Sequence, residues 1–299
     1  MLRWGILSTA KIGRNAVIPA IQASGNGEVT AVASREADRA QAFAAELSIP
    51  SHYGSYEALL EAEDVDAVYI PLPNSLHREW TIKSAEAGKH VLCEKPLGLT
   101  AAECAEMDAA ARDNGVKLME AFMYRFHPRT ERVIELVRGG TIGPLRALQA
   151  SFSFRLAERD NIRLDPALGG GSLMDVGCYC VNIARTLAGA EPVEVQALAS
   201  WTSSGVDEQI AGTLRFEDGL LAQIDCALSL ERRQRYSVAG PDGYLDVAAA
   251  FVPGTGEATI EERHGRNGKT LHTIDGADQY QLMVEHFTDC VAHGHDVRY

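Results

Sequence analysis

Short apolar runs alternate with helical patterns from Arg3 to Ala121, and this alternation constrains the fold more than any other feature of the chain. The runs are Arg3 to Ser8, Glu28 to Ser34, Ala67 to Ile70, Lys89 to Glu94 and Lys117 to Ala121. Between them lie a helix carrying Val17, Ile18, Ala20 and Ile21, an alanine-rich helix from Asp38 to Leu47, and helices from His77 to Ala87 and Ala101 to Asn114. Strands alternating with helices build a parallel sheet with right-handed crossovers. Ligands of such sheets bind beyond the carboxyl ends of the strands.

After Ala121 the texture changes. An aromatic, basic segment, Phe122 to Pro128, precedes a helix from Arg129 to Arg138, and Gly139 to Pro144 breaks the chain. Strands then dominate, at 145–156, 193–202, 209–217, 219–229, 234–240 and 244–248, several joined by glycine turns. This reads as an antiparallel meander. The fold class is therefore an α/β Rossmann domain followed by an α+β domain with an open, mainly antiparallel sheet. The boundary is placed at 1–122 and 123–299. An open sheet face must be covered, so a homodimer or higher oligomer through it is expected, with Gln209 to Leu230 the best contact strands.

The formal net charge of −13 argues against nucleic acid or an anionic membrane as partner. No apolar run is long enough to span a bilayer, and the N-terminus lacks a signal-peptide layout. The cysteines at 93, 104, 178, 180, 226 and 290 show no metal-binding or paired spacing. No metal is expected, and a cytoplasmic location follows from reduced thiols.

The first strand ends in Ser8-Thr9-Ala10-Lys11-Ile12-Gly13, where a dinucleotide fingerprint would read G-x-G-x-x-G. Only the last glycine is kept, but serine and alanine are the smallest replacements. NAD sites place an acid at the tip of the second strand to hold the ribose. Here the tip is Ser34-Arg35, with Arg39 following, which suits a 2′-phosphate and favours NADP over NAD. A solvated arginine is the alternative. Pro71 to His77 forms a loop into a helix, with Asn74 or Ser75 as its cap. His77 either faces the nicotinamide or merely sits in the first helical turn. Val91-Leu92-Cys93 delivers Glu94-Lys95-Pro96 to the crevice rim. Farther on, Gly169-Gly170-Gly171-Ser172 precedes a helix on which Asp175, Tyr179, Asn182 and Ile183 share a face. The three glycines would let backbone approach a ligand or another chain closely. Tyr179 as a core ring and Asp175 as a cap remain the plainer reading.

Glu94-Lys95-Pro96 on a fourth Rossmann strand, Pro73-Asn74-x-x-His77, Gly143-Pro144 and G-G-G-S-L-M-D-V-G-C-Y together resemble the Gfo/Idh/MocA oxidoreductase family over essentially the whole chain. Tyrosine at 179, where many members carry histidine, is similar to the branch of dimeric dihydrodiol dehydrogenase, D-xylose dehydrogenase and glucose-fructose oxidoreductase. The resemblance implies hydride transfer between NADP and a hydroxyl-bearing carbon of an aldose, polyol or dihydrodiol. It implies Tyr179 as general acid/base, Lys95 as the charge that favours its phenolate, and Asp175 as acceptor from a substrate hydroxyl. It implies a cofactor site from Ser8, Thr9, Ala10, Ile12, Gly13, Ser34, Arg35, Arg39, Pro71, Asn74, His77, Glu94 and Lys95, and a cis Lys95-Pro96 bond. Tyr124 and Arg155 are weaker candidates for the sugar pocket. The family also predicts one more helix after Tyr299. The rival expectation is a silent dinucleotide-binding regulator, against which the presence of Lys95, Asp175 and Tyr179 speaks.

Overall fold

The computed structural model describes residues 1–158 and 160–298. It divides into two compact units, Met1–Met123 with Gln279–Tyr299, and Tyr124–Asp278.

In the first unit, β1 (Leu2–Leu7), β2 (Gly27–Ala33), β3 (Ser51–Tyr53), β4 (Ala67–Ile70), β5 (His90–Cys93) and β6 (Leu118–Glu120) form a parallel sheet. Its order is β3-β2-β1-β4-β5-β6, so the chain reverses direction across the sheet between β1 and β4. That reversal is where α/β sheets open a ligand crevice. Helices α1 (Ile18–Ala23), α2 (Ala37–Leu47), α3 (Tyr56–Leu60), α4 (His77–Glu86) and α5 (Ala101–Asp113) connect the strands. Every residue of β4 is buried, as its unbroken Ala-Val-Tyr-Ile run requires. Ser55 caps α3 and Thr100 caps α5 by accepting backbone N–H bonds. The sequence does not announce β3, because Ser-His-Tyr is too short and too polar to read as a strand.

The second unit begins with α6 (Pro128–Arg138), β7 (Ala147–Arg155) and α7 (Cys178–Ala188). There follow β8 (Glu194–Trp201), β9 (Asp207–Arg215), β10 (Leu221–Ala227), β11 (Ser229–Ala239), β12 (Tyr244–Ala248), β13 (Ala258–His264) and β14 (Gly268–Ile274). The sheet order is β14-β13-β12-β11-β7-β10-β9-β8. It departs from a simple antiparallel meander because β7 lies at the centre, parallel to β10 and antiparallel to β11. One face buries Leu148, Phe152, Ile224, Cys226, Tyr236 and Val238. The opposite face carries Gln149, Ser151, Gln223, Asp225 and Arg235 along a trough of about 1040 Å³. The pair β13–β14 is absent from the sequence reading because a charge interrupts its inward pattern. Glu262 is buried there and accepts from His264 and His272, each at 2.7 Å.

The last helix, α8 (Gln279–His293), belongs to the first unit, so the assignment of all of 123–299 to a second domain is corrected. Tyr299, the end of that assignment, lies outside the described residues. The cause is apolar packing: Met283, Val284 and Phe287 are buried, and the Phe287 ring meets Trp4 at 5.3 Å. Asn26 Nδ2 also donates to the Glu285 carbonyl at 3.0 Å.

Candidate active site

At the end of β1 the fingerprint's missing first glycine is replaced by a residue that still takes a glycine conformation. Ser8 has φ 127°, a region that L side chains rarely adopt. Its hydroxyl donates to the Pro71 carbonyl (3.1 Å) and accepts from the Ala10 N–H (3.2 Å). Thr9, Ala10 and Ile12 are half-buried along the turn. Gly13 opens a π-turn, Gly13–Val17, that leads into α1. A Cβ on Gly13 would meet Pro71 and Tyr69 at 3.8 Å, ordinary contact, so the fold itself does not demand glycine there. A ligand lying on the turn would.

At the tip of β2, Ser34 is buried and its hydroxyl accepts from the Glu36 N–H at 3.4 Å. Arg35 and Arg39 are exposed, and neither makes an ion pair among the described residues. Two uncommitted guanidiniums at this tip fit a phosphate group and not the ribose diol that an acid would hold.

The turn after β5 is pinned by polar side chains. The Lys95-Pro96 bond is cis, as expected. Tyr69 donates its phenol to Glu94 Oε1 at 2.6 Å, and Glu94 Oε2 accepts from the Lys95 N–H at 3.3 Å. Burial, then the Glu94 charge, holds the Tyr69 phenol well above its ordinary range, so it stays a donor. Glu120 Oε1 accepts from the Leu97 N–H at 2.8 Å. His77 is fully buried; its Nδ1 lies 2.8 Å from the Pro96 carbonyl and its Nε2 2.9 Å from the Leu72 carbonyl. Of the two positions left open for His77, the structure shows the start of α4, with both ring nitrogens engaged by backbone. Burial lowers its pKa, the two carbonyls oppose that, and the Lys95 charge adds to it. Asn74 opens a short 3₁₀ turn, Asn74–Leu76, before α4.

In the second unit, Ser172 leads into a second π-turn, Leu173–Gly177, which holds Asp175 and continues into α7. The Cys178 N–H reaches back to the Leu173 carbonyl. π-turns are rare and concentrate at functional sites. Both candidate ligand-binding helices of this chain begin with one. Asp175 Oδ2 accepts from Arg163 Nε at 2.6 Å, and its side chain is only 13% exposed. Tyr179, in the first turn of α7, is 5% exposed. Its ring lies against Phe152 (5.3 Å), Phe251 (5.4 Å) and Tyr124 (5.8 Å). Tyr124 is fully buried and donates to Asn182 Oδ1 at 2.5 Å, so it supports Tyr179 within the unit; Arg155 is exposed.

The glycine run presses on its own chain. A Cβ on Gly170 would lie 2.5 Å from the Arg163 carbonyl, and one on Gly171 (φ +120°) 2.1 Å from Asp207 Oδ1. Asp207 Oδ2 accepts from the Ser172 hydroxyl (2.6 Å) and the Leu173 N–H (2.7 Å), and so caps the helix. Arg163, Asp207, Phe152, Phe251, Tyr69 and Glu120 are absent from the sequence reading. Of these, only Arg163 and Asp207 had a signal in the sequence, Gly170-Gly171 as a place of close approach. Lys95 belongs to the first unit; Asp175 and Tyr179 belong to the second. No three His, Cys, Asp or Glu side chains among the described residues are grouped to hold a metal.

Residues 2–122 match the family model described as "Oxidoreductase family, NAD-binding Rossmann fold", and residues 130–246 match the "GFO/IDH/MocA C-terminal domain". The chain belongs to the Gfo/Idh/MocA oxidoreductase family. It is 46% identical to D-xylose 1-dehydrogenase (NADP(+)) 2 of Haloferax volcanii, over 99% of this chain and 91% of that one. It is 36% identical to trans-1,2-dihydrobenzene-1,2-diol dehydrogenase of Mus musculus, over 84% and 76%. Among solved structures it superposes, with a TM-score of 0.93 and 31% identity, on KijD10, a 3-ketoreductase of Actinomadura kijaniata in complex with NADP and TDP-benzene, covering 99% and 91%.

Proposed function

We propose that the chain is an NADP-dependent oxidoreductase acting on a hydroxyl-bearing carbon of an aldose, a polyol or a dihydrodiol. Its likeness over 99% of its length to an NADP-dependent D-xylose dehydrogenase carries the reaction class. The uncommitted Arg35 and Arg39 support the choice of coenzyme. The turn from Ser8 to Gly13 would receive the pyrophosphate, Ser34, Arg35 and Arg39 the 2′-phosphate, and Pro71, Asn74, His77, Glu94 and Lys95 would border the nicotinamide side. His77 would contribute there by holding backbone in place. Bound NADP supplies the hydride acceptor or donor.

The protein's part is proton transfer and orientation. Tyr179 is the general acid/base on the substrate hydroxyl. A lysine ammonium next to a phenol favours the phenolate, and Lys95 has that role. Asp175, oriented by Arg163, accepts from a second substrate hydroxyl. Six cysteines with no disulfide among the described residues support a reducing, cytoplasmic setting. No helix among the described residues is long and apolar enough to cross a membrane. The open face between Gln209 and Leu230 is covered by a second copy in a homodimer or higher oligomer.

A screen of aldoses, polyols and trans-dihydrodiols, read by NADPH absorbance, tests the reading. Turnover of one class with NADP preferred over NAD is expected. Arg35→Asp should weaken NADP about ten- to a hundredfold, the loss of a charge-assisted bond of about 1.5–3 kcal/mol. Tight NADP binding with no turnover of any class would overturn the reading.

A further inference from the structure

The two edges of the second sheet are unlike. The β14 edge carries Lys269, paired with Glu261 at 2.7 Å, the kind of charge that keeps sheet edges from pairing. On the β8 edge the charge is confined to its first residue, Glu194, paired with Arg215 at 2.8 Å, and Val195 to Trp201 carry none. The strand's sequence, Glu-Val-Gln-Ala-Leu-Ala-Ser-Trp, holds no lysine or proline, and every one of its residues is exposed. The exposure falls on large apolar side chains: Leu198 at 83%, Trp201 at 66% and Val195 at 60%.

The backbone polarity of this edge follows from the ladder. The Phe216 N–H donates to the Leu220 carbonyl, so Phe216 faces β10 and the alternate residues Arg215, Thr213 and Ala211 face β8. Their partners in register are Glu194, Gln196 and Leu198. The N–H and C=O groups of Val195, Ala197 and Ala199 therefore point out of the sheet.

We propose that this edge pairs with the same edge of a second copy of the chain, antiparallel about a two-fold axis at Leu198. In that register Leu198 meets Leu198, Val195 meets Trp201, Ala197 meets Ala199 and Gln196 meets Ser200. Apolar faces apolar and polar faces polar at each of these positions, and Glu194 falls opposite Thr202, so no like charges meet. Sliding the register by two residues sets Gln196 against Leu198 and loses the match. The outward backbone groups fall into hydrogen-bonded pairs between Ala197 and Ala199, while Leu198 occupies the closer, non-hydrogen-bonded pair. Val195 and Trp201 lie on the side of β8 that also carries the buried Ile210 and Leu214, and the second copy covers them there. This contact uses the rim of the sheet and is separate from the open-face contact proposed above.

Ala197→Pro removes an N–H that points out of the sheet, and proline is tolerated on an edge strand whose N–H faces outward. Mass by light scattering should halve relative to wild type at equal concentration, with an unchanged circular dichroism spectrum. Leu198→Cys should form a disulfide-linked dimer on mild oxidation, because that cysteine faces its own copy across the axis; Leu271→Cys, exposed on β14 at the opposite edge of the sheet, should not. Unchanged mass for Ala197→Pro overturns the proposal. So does Leu198→Cys that stays monomeric on a non-reducing gel, a result that stands even if the proline variant fails to fold.

Discussion

The turn that carries Lys95 and the helix that carries Tyr179 are held in opposite ways. Around Lys95, side chains from separate elements hydrogen-bond to backbone: His77 at Pro96, Glu120 at Leu97, and Glu94, itself held by Tyr69, at Lys95. Around Tyr179, the fixing is by shape, from the rings of Phe152, Tyr124 and Phe251. Hydrogen bonds fix direction, and a lost partner leaves a buried polar group unsatisfied. Aromatic packing fixes volume and tolerates loss of a polar atom. The two kinds of support therefore fail under different substitutions. A lysine needs its stem aimed, while a tyrosine in a close-fitting bed can lose its hydroxyl with the ring still in place.

Phe251→Ala strikes the aromatic bed and should cost most, about 3–5 kcal/mol of stability, as large-to-small core changes do. Chemical denaturation measures it, and turnover should fall with NADP affinity retained. A cost below about 1 kcal/mol would mean that the bed does not fix the tyrosine.

Behind that bed lies a polar link, and pH addresses it. Phe251 directly follows Ala248 to Ala250, whose carbonyls accept from the Arg129 guanidinium at 2.7–3.0 Å. The neighbouring His127 caps α6, its Nδ1 accepting from the Arg129 N–H at 3.0 Å. That ring must stay neutral. Burial, then the Arg129 charge, pulls its pKa down to about 4. The folded value lies below the unfolded one, so the stability is complete above about pH 6.5 and drains away as pH falls toward 4. At the limit the loss is ~3 kcal/mol. His127→Asn keeps a capping side chain without the titration. The difference in stability between wild type and this variant should shrink or reverse over that pH window, and a pH-independent difference would remove His127 from the link.

His77→Leu is the matching blow to the polar turn. The neutral ring carries one N–H, so one of the two carbonyls, Pro96 or Leu72, loses its donor, at about 1–3 kcal/mol at most. Turnover should fall further than stability suggests, because the Lys95 turn loosens, and His77→Gln should restore part of it. If His77→Leu leaves turnover intact while stability falls, His77 merely fills the core.

Much of this was legible in the chain. The apolar runs gave the parallel sheet, since a strand buried on both faces needs an unbroken run such as Ala67 to Ile70. Ser34-Arg35 and Glu94-Lys95-Pro96 stood out because charge at the end of a buried strand has few structural uses. The supports were not legible. Glu120 and Tyr69 look like ordinary strand residues, and their role depends on partners up to 25 positions away. Asp207 and Arg163 meet the glycine run only in three dimensions. The return of α8 was hidden because its apolar face reads the same whichever core it joins. Neither π-turn has a sequence signature here.

The central claim is that Tyr179 and Lys95 serve one proton transfer, and a double-mutant cycle on turnover tests it most directly. Tyr179→Phe keeps the ring in its bed, so NADP affinity and stability should stay close to wild type while turnover drops about 10²–10⁴-fold. Lys95→Met should lose at least as much. The double variant should be little worse than either single one, because groups acting as a unit are not additive. Near-normal turnover for Tyr179→Phe would make Tyr179 a core aromatic and nothing more. Losses that multiply would show that the two residues act in separate steps.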